Sequence, residues 1–177
     1  MKTFVIGILL LFTFVMANAQ DKSKADVWPP LSFLEGNWKG TGDGMNGHSE
    51  VTKSYSFILS RNFLEMRTRS VFEPQEKNPK GEVHEDICIL SYDQGRQKFI
   101  LRGFYVEGFV NTYVHEDSAG SDTEIVFVTE SVENAPPGTK AKVTFRHVSE
   151  NEIEEKFFVA FPGQDLSCFS TIILKKQ

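Results

Sequence analysis

The chain has 177 residues, of which 40% are hydrophobic, 12% aromatic and 24% charged. This length and composition exclude a disordered, collagen-like, coiled-coil or multi-pass membrane protein and predict a single domain. The formal charge of −5 argues against a nucleic-acid partner or an anionic membrane surface. Two cysteines are too few for a disulfide-dense scaffold or a zinc site built from four cysteines.

The first 19 residues, MKTFVIGILLLFTFVMANA, have the pattern of a secretory signal peptide. Lys2 supplies the positive charge, an apolar run follows, and Ala17 and Ala19 are the small residues of a cleavage site. The pattern predicts cleavage after Ala19 and a secreted or periplasmic protein. Because the apolar run is short for a membrane span, we expect no integral membrane span after cleavage.

The remainder is predicted to be a loose lead-in over 20–30 and a β-barrel domain over 31–177. A short helical segment over 30–34, PLSFL, precedes the first strand and could plug one end of a barrel. Beyond it, short β-rich segments separated by turn signals predict ten strands. These are residues 37–43, 51–59, 63–72, 83–92, 97–106, 109–115, 124–132, 140–148, 152–161 and 165–175.

The links between successive strands are short, which favours an antiparallel meander. Ten strands in one domain of this size require either two packed sheets or a closed barrel, and closure also removes exposed edges. We therefore expect an all-β fold in which a single ten-stranded antiparallel meander closes into a barrel.

The predicted first strand carries a motif with known relatives. Residues 36–44 read GNWKGTGDG, with glycines alternating along the strand around Trp38. The segment resembles the opening of calycin-type barrels, the lipocalin and fatty-acid-binding-protein group, in which this Trp lies across the closed end. The resemblance is nearest to nitrobindin-like barrels, which also share a His-x-Glu-type strand, here at His84 in GEVHED. It implies a calycin-like barrel, similar to secreted bacterial members of unknown function.

The last strand departs from this family pattern. Nitrobindin-type haem barrels place a proximal His there, in a His-Leu-x-Ala-x-Leu-x-Arg pattern. Here residues 168–175 read CFSTIILK, so Cys168 occupies the position of the His and no histidine follows His147. The cofactor is therefore unknown: the resemblance implies haem, which a thiolate can ligate, but a buried cysteine is more often neutral.

A barrel of this width has room inside for side chains or for one small ligand. Ligand sites usually combine an apolar lining with a few convergent polar groups. An inward arginine would suit a ligand carboxylate, because its planar fork makes two hydrogen bonds at once, whereas an outward one would only be solvated. A strand histidine could equally be a core residue. The candidate ligand-binding residues are Trp38, Arg67, His84, Arg102, Tyr105, Tyr113, His147 and Cys168.

Signals for catalysis are weak. The sequence has no G-x-S-x-G elbow, no phosphate-binding loop and no closely spaced pair of histidines, so no catalytic or metal-binding residue is assigned. Cys88 and Cys168 could form a disulfide in an exported protein, or could remain two small buried apolar residues.

Three functions are compatible with these features. The leading hypothesis is a secreted or periplasmic barrel that binds a small apolar or amphipathic molecule, such as a lipid or fatty acid, without turnover. One alternative is a nitrobindin-like haem barrel acting on reactive nitrogen species. The other is a structural or interaction module of the cell envelope.

Overall fold

A computed structural model describes residues 26–117, 120 and 123–177. The predicted signal peptide and residues 20–25 of the predicted lead-in lie outside these residues. A 3₁₀ helix, Pro29–Leu34, precedes ten strands. They are β1 (Gly36–Gly44), β2 (Gly47–Ile58), β3 (Phe63–Phe72), β4 (Glu82–Asp93), β5 (Lys98–Tyr105), β6 (Val110–His115), β7 (Glu124–Glu133), β8 (Lys140–Ser149), β9 (Glu152–Ala160) and β10 (Ser167–Lys176).

Each strand pairs in antiparallel fashion with the next along the chain, and β1 pairs with β10, so the sheet is a closed barrel. The pairing of β1 with β10 runs from Trp38 opposite Lys176 to Gly44 opposite Ser170. The predicted ten-stranded closed meander is confirmed. Across the described residues, no helix is long and apolar enough to cross a membrane.

Strand β2 differs most from its prediction. It begins at Gly47, four residues before the predicted start, because a tight turn at Met45 and Asn46 follows β1 directly. Gly47 has a φ of +97°, a conformation that a glycine adopts without strain. At the other end Leu59 was expected to continue the apolar face, but it adopts a φ of 49° in the turn and is 70% exposed.

The 3₁₀ helix closes one end of the barrel, as the sequence suggested. Leu31 and Leu34 are fully buried in the core cluster, and the indole nitrogen of Trp38 donates a 2.8 Å hydrogen bond to the Leu34 carbonyl. Trp28, which falls in the predicted loose lead-in, is also buried, and its indole nitrogen donates to the Arg61 carbonyl at 2.8 Å. This end is therefore filled with packed apolar side chains.

The inward positions of β1 beyond Trp38 are glycines, because successive side chains alternate between the two faces of a strand. A Cβ atom at Gly40 would lie 1.8 Å from the carbonyl oxygen of Ile173 on β10. The seam that closes the barrel therefore brings the backbones of β1 and β10 together more closely than any side chain at residue 40 permits.

Candidate functional site

A cavity of about 380 Å³ occupies the barrel interior at the end opposite the 3₁₀ helix. One side of it, here called the apolar wall, is formed by inward residues of β8, β9 and β10. The other side, here called the polar wall, is formed by inward residues of β4, β5 and β6. The apolar wall consists of Val143, Phe145, Phe157, Val159 and Ile172, and the polar wall of His84, Asp86, Cys88, Tyr105 and Asn111.

A buried ion pair lies deep in this interior. Lys53 of β2 and Glu155 of β9 contact each other through Nζ and Oε2, with side chains only 9% and 6% exposed. The two strands are separated by β1 and β10, and the contact spans this gap because the inward side of β1 carries glycines there. The Tyr55 hydroxyl donates to the other oxygen of Glu155. Burial, followed by the charge of Glu155, raises the pKa of Tyr55, so its hydroxyl stays protonated.

The polar wall contains a chain of hydrogen bonds. Asn111 Nδ2 donates to the Tyr113 hydroxyl at 2.7 Å, and the hydroxyls of Tyr113 and Tyr105 lie 2.9 Å apart. The ring of Tyr105 folds over Gly103, where a Cβ atom would lie 2.6 Å from the Tyr105 hydroxyl. Burial raises the pKa of Tyr105, of Tyr113 to about 12 and of the Cys88 thiol to about 12. These groups are therefore neutral donors and acceptors around neutral pH.

At the open end of the cavity, His84 lies between two carboxylates. Its Nε2 is 2.9 Å from Asp86 Oδ1, and its Nδ1 is 2.9 Å from Glu107 Oε1 in the turn between β5 and β6. Contact with Asp86 raises the pKa of His84, and the charges of Glu107 and Glu82 add to this effect, while partial burial opposes it. The imidazole thus links β4 to the β5–β6 turn.

We expect His84 and His115 to titrate on opposite sides of the ordinary histidine pKa of 6.5 in an NMR titration. The carboxylates raise the pKa of His84, whereas burial lowers that of His115. Because the pKa of His84 is raised in the folded state, its pairing stabilises the fold to the full extent at pH values below the unfolded-state pKa of about 6.5. This contribution is lost as the pH rises through the folded-state pKa. Asp86→Asn should lower the His84 pKa and leave His115 unchanged; a His84 pKa at or below that of His115 would contradict the geometry.

The structure brings some of the sequence-predicted residues together and separates others. His84 and Tyr105 line the cavity, and Tyr113 joins them through its hydroxyl. Trp38 and His147 lie at the closed end, where the His147 ring stacks on Phe33 with centroids 4.7 Å apart.

Three of the predicted residues lie on the outside of the barrel. Arg67 faces solvent and pairs with Glu65, with Nε 2.8 Å from Oε1. Arg102 is exposed on the outer face of β5 and donates to Ser91 Oγ at 3.2 Å. Cys168 is exposed, and both it and Cys88 are free thiols. Alternation turns Arg67 and Arg102 outward, and the β-bulge between Cys168 and Ser170 does the same for Cys168. Neither an arginine nor the Cys168 thiolate is therefore available inside for a ligand.

Four further residues line the cavity that were not predicted as site residues: Lys53, Asp86, Asn111 and Glu155. A signal for two of them was present: Lys53 shares the face of Val51 and Tyr55, and Glu155 shares the face of Ile153 and Phe157. A charge on an apolar strand face indicates a partner inside the barrel.

The residues in the cavity do not suit haem. Cys168 lies outside it, both ring nitrogens of His84 contact carboxylates, and Cys88 is held as a protonated thiol. Among the described residues, no group of three or more His, Cys, Asp or Glu side chains is placed to hold a metal ion.

These features define a closed ten-stranded antiparallel barrel with one filled end and an amphipathic cavity at the other. Its fold is similar to that in the crystal structure of Rv2717c from M. tuberculosis, with a TM-score of 0.67 over 86% of this chain and 98% of that one, at 19% sequence identity. A redesigned β-barrel gives a TM-score of 0.39 at 10% identity, over 82% and 93% of the two chains. No family model and no curated protein matches the sequence.

Proposed function

We propose that this chain is a calycin-like barrel of the nitrobindin and lipocalin type that binds a small apolar or amphipathic molecule inside the barrel, without turnover. The observation that carries the proposal is the cavity between the apolar and polar walls. Its volume of 380 Å³ lies within the range of small-molecule sites. At ~30 Å³ per water-sized group, it corresponds to about a dozen non-hydrogen atoms.

The chemistry of the interior favours binding over turnover. Cys88, Tyr105 and Tyr113 are buried and protonated, so none of them is an activated nucleophile or a ready base. Lys53 and Glu155 are committed to each other. Such groups orient a bound molecule by hydrogen bonding but supply no obvious reaction step.

We further propose that the chain is exported, on the basis of its signal-peptide pattern, and that binding takes place outside the cytoplasm. The protein should therefore be isolated after expression of the whole 177-residue chain in a host that can export it. The intact mass of the exported product should correspond to a chain that begins at Gln20.

The same preparation tests binding. We expect denaturing extraction and mass spectrometry to release a small molecule in stoichiometric amount from the wild-type chain. Val143→Phe should abolish its retention, because the larger ring fills the apolar wall. Val148→Phe, on the outer face of the same strand where Val148 is 41% exposed, is the matched control and should retain it. Equal recovery from both variants would contradict binding inside the barrel.

A further inference from the structure

Negative charges outnumber positive charges around the cavity. In the part of the chain that the structure describes, three carboxylates face it, those of Asp86, Glu107 and Glu155. The carboxylate of Asp43 borders the cavity only from the outer face of β1, where it is 74% exposed beside His48. Against the three inner carboxylates stand one lysine, Lys53, and one histidine, His84, and no arginine. The interior is therefore electronegative even when His84 is protonated.

Both cations are already paired. Lys53 contacts Glu155 at a depth where neither side chain is more than 9% exposed. His84 has a carboxylate oxygen 2.9 Å from each ring nitrogen. A ligand carboxylate would have to displace one of these partners or enter without a counter-charge. Burying an anion without a partner is costly, and breaking a buried pair leaves a second uncompensated charge behind.

One acceptor of the polar wall, the side-chain oxygen of Asn111, lacks a hydrogen-bond donor. Asn111 is only 5% exposed; its Nδ2 is committed to Tyr113, while its Oδ1 has no hydrogen-bond partner. A buried acceptor of this kind normally has a donor, so a molecule bringing a hydroxyl or ammonium group would complete the wall at Asn111.

From this imbalance we infer that the site takes an apolar amine or alcohol and rejects fatty acids. The inference rests on the proposed binding function and narrows its ligand class. The head group would lie against the polar wall near Asp86, Glu107 and Asn111, and the hydrocarbon part would lie against Phe145 and Phe157 of the apolar wall. An ammonium group gains from the carboxylates, and an alcohol donates without a charge to bury. A carboxylate meets like charges, while the two cations, Lys53 and His84, are already paired.

Three probes with the same ten-carbon chain differ only in their head group: decylamine, 1-decanol and decanoate. Each is close in size to the cavity, which corresponds to about a dozen non-hydrogen atoms. At about pH 7 the amine is cationic and the acid is ionised. Calorimetric titration below micelle-forming concentrations should show decylamine and decanol binding at least about tenfold more tightly than decanoate. Glu107→Gln should weaken decylamine binding and leave decanol binding unchanged. Glu85→Gln, on the outer face of β4 and 66% exposed, is the matched control and should change neither.

The outcomes distinguish this inference from the function on which it rests. Decanoate binding as tightly as decylamine or decanol, and lost in Val143→Phe, would overturn the ligand class and leave the binding function standing. If none of the three probes binds and the wild-type extract contains no small molecule, the ligand class and the binding function are both overturned. Decylamine and decanol could bind more tightly than decanoate and yet show the same affinities in Glu107→Gln as in the wild type. That result would overturn the placement of the head group near Glu107.

Discussion

Replacing Gly40 with alanine should destabilise the barrel by about 3 kcal/mol or more, because the added methyl group cannot be accommodated at the β1–β10 seam. The Cβ atom would lie 1.8 Å from the Ile173 carbonyl oxygen and 2.9 Å from the Leu174 Cα atom. Both atoms belong to the backbone of β10, so no side-chain rotation relieves the clash. For a chain of this size, the loss corresponds to a fall in Tm of about 6–12 °C.

Gly95→Ala is the matched control for this substitution. Gly95 lies in the turn between β4 and β5, and a Cβ atom there would meet only Asp93 Oδ1, at an ordinary 3.4 Å. Thermal unfolding of both variants, followed by far-ultraviolet circular dichroism, should show a large loss for Gly40→Ala and little change for Gly95→Ala. Equal melting temperatures for wild type and Gly40→Ala would show that the β1–β10 seam has room for a methyl group at residue 40.

Removing one partner of the Lys53–Glu155 pair should cost about 3–5 kcal/mol, because the other charge stays buried without compensation. We expect this loss in urea unfolding for both Lys53→Met and Glu155→Gln. The glutamine keeps an oxygen that can accept from the Tyr55 hydroxyl, so its effect reports mainly on the charge. The double variant Lys53→Met/Glu155→Gln carries neither charge and should lose less stability than either single variant.

An ion pair on the surface offers the matched control for these single and double variants. Lys39 on β1 and Glu50 on β2 approach to 3.4 Å, with side chains 56% and 67% exposed. Removing either should change the free energy of unfolding by less than about 1 kcal/mol. Additive losses in the double variant of the buried pair would mean that the two charges act independently, contrary to their contact inside the barrel.

Much of the fold could be predicted from the sequence because the strand signals are local. Alternation between apolar and polar residues, with a turn signal after each segment, located all ten strands, and the resemblance of the motif around Trp38 to calycin-type barrels implied the closed end. The early start of β2 was missed because Gly47 and His48 carry no β-propensity. They join the sheet because the two-residue turn places them directly opposite Gly44 and Asp43.

The site was harder to predict because it depends on contacts between distant strands. Alternation assigns His84, Tyr105 and Tyr113 each to one face of a strand, but it does not say which face is inward. The Lys53–Glu155 pair joins residues 102 positions apart, across two intervening strands, and no local pattern encodes that distance. Arg67 and Arg102 drew attention through their chemistry, but their side chains belong to the outer faces of β3 and β5.

The plug at one end also has a kinetic consequence. Because Leu31, Leu34, Trp28 and Trp38 fill that end, the described residues leave the opposite end of the barrel as the opening through which a molecule would enter and leave. The walls of the cavity would then determine the affinity for a bound molecule, while the loops at the open end would determine its rate of exchange. The contact from His84 to Glu107 lies at that open end. Loosening this contact should therefore shorten the residence time of a bound molecule more than it weakens the equilibrium affinity.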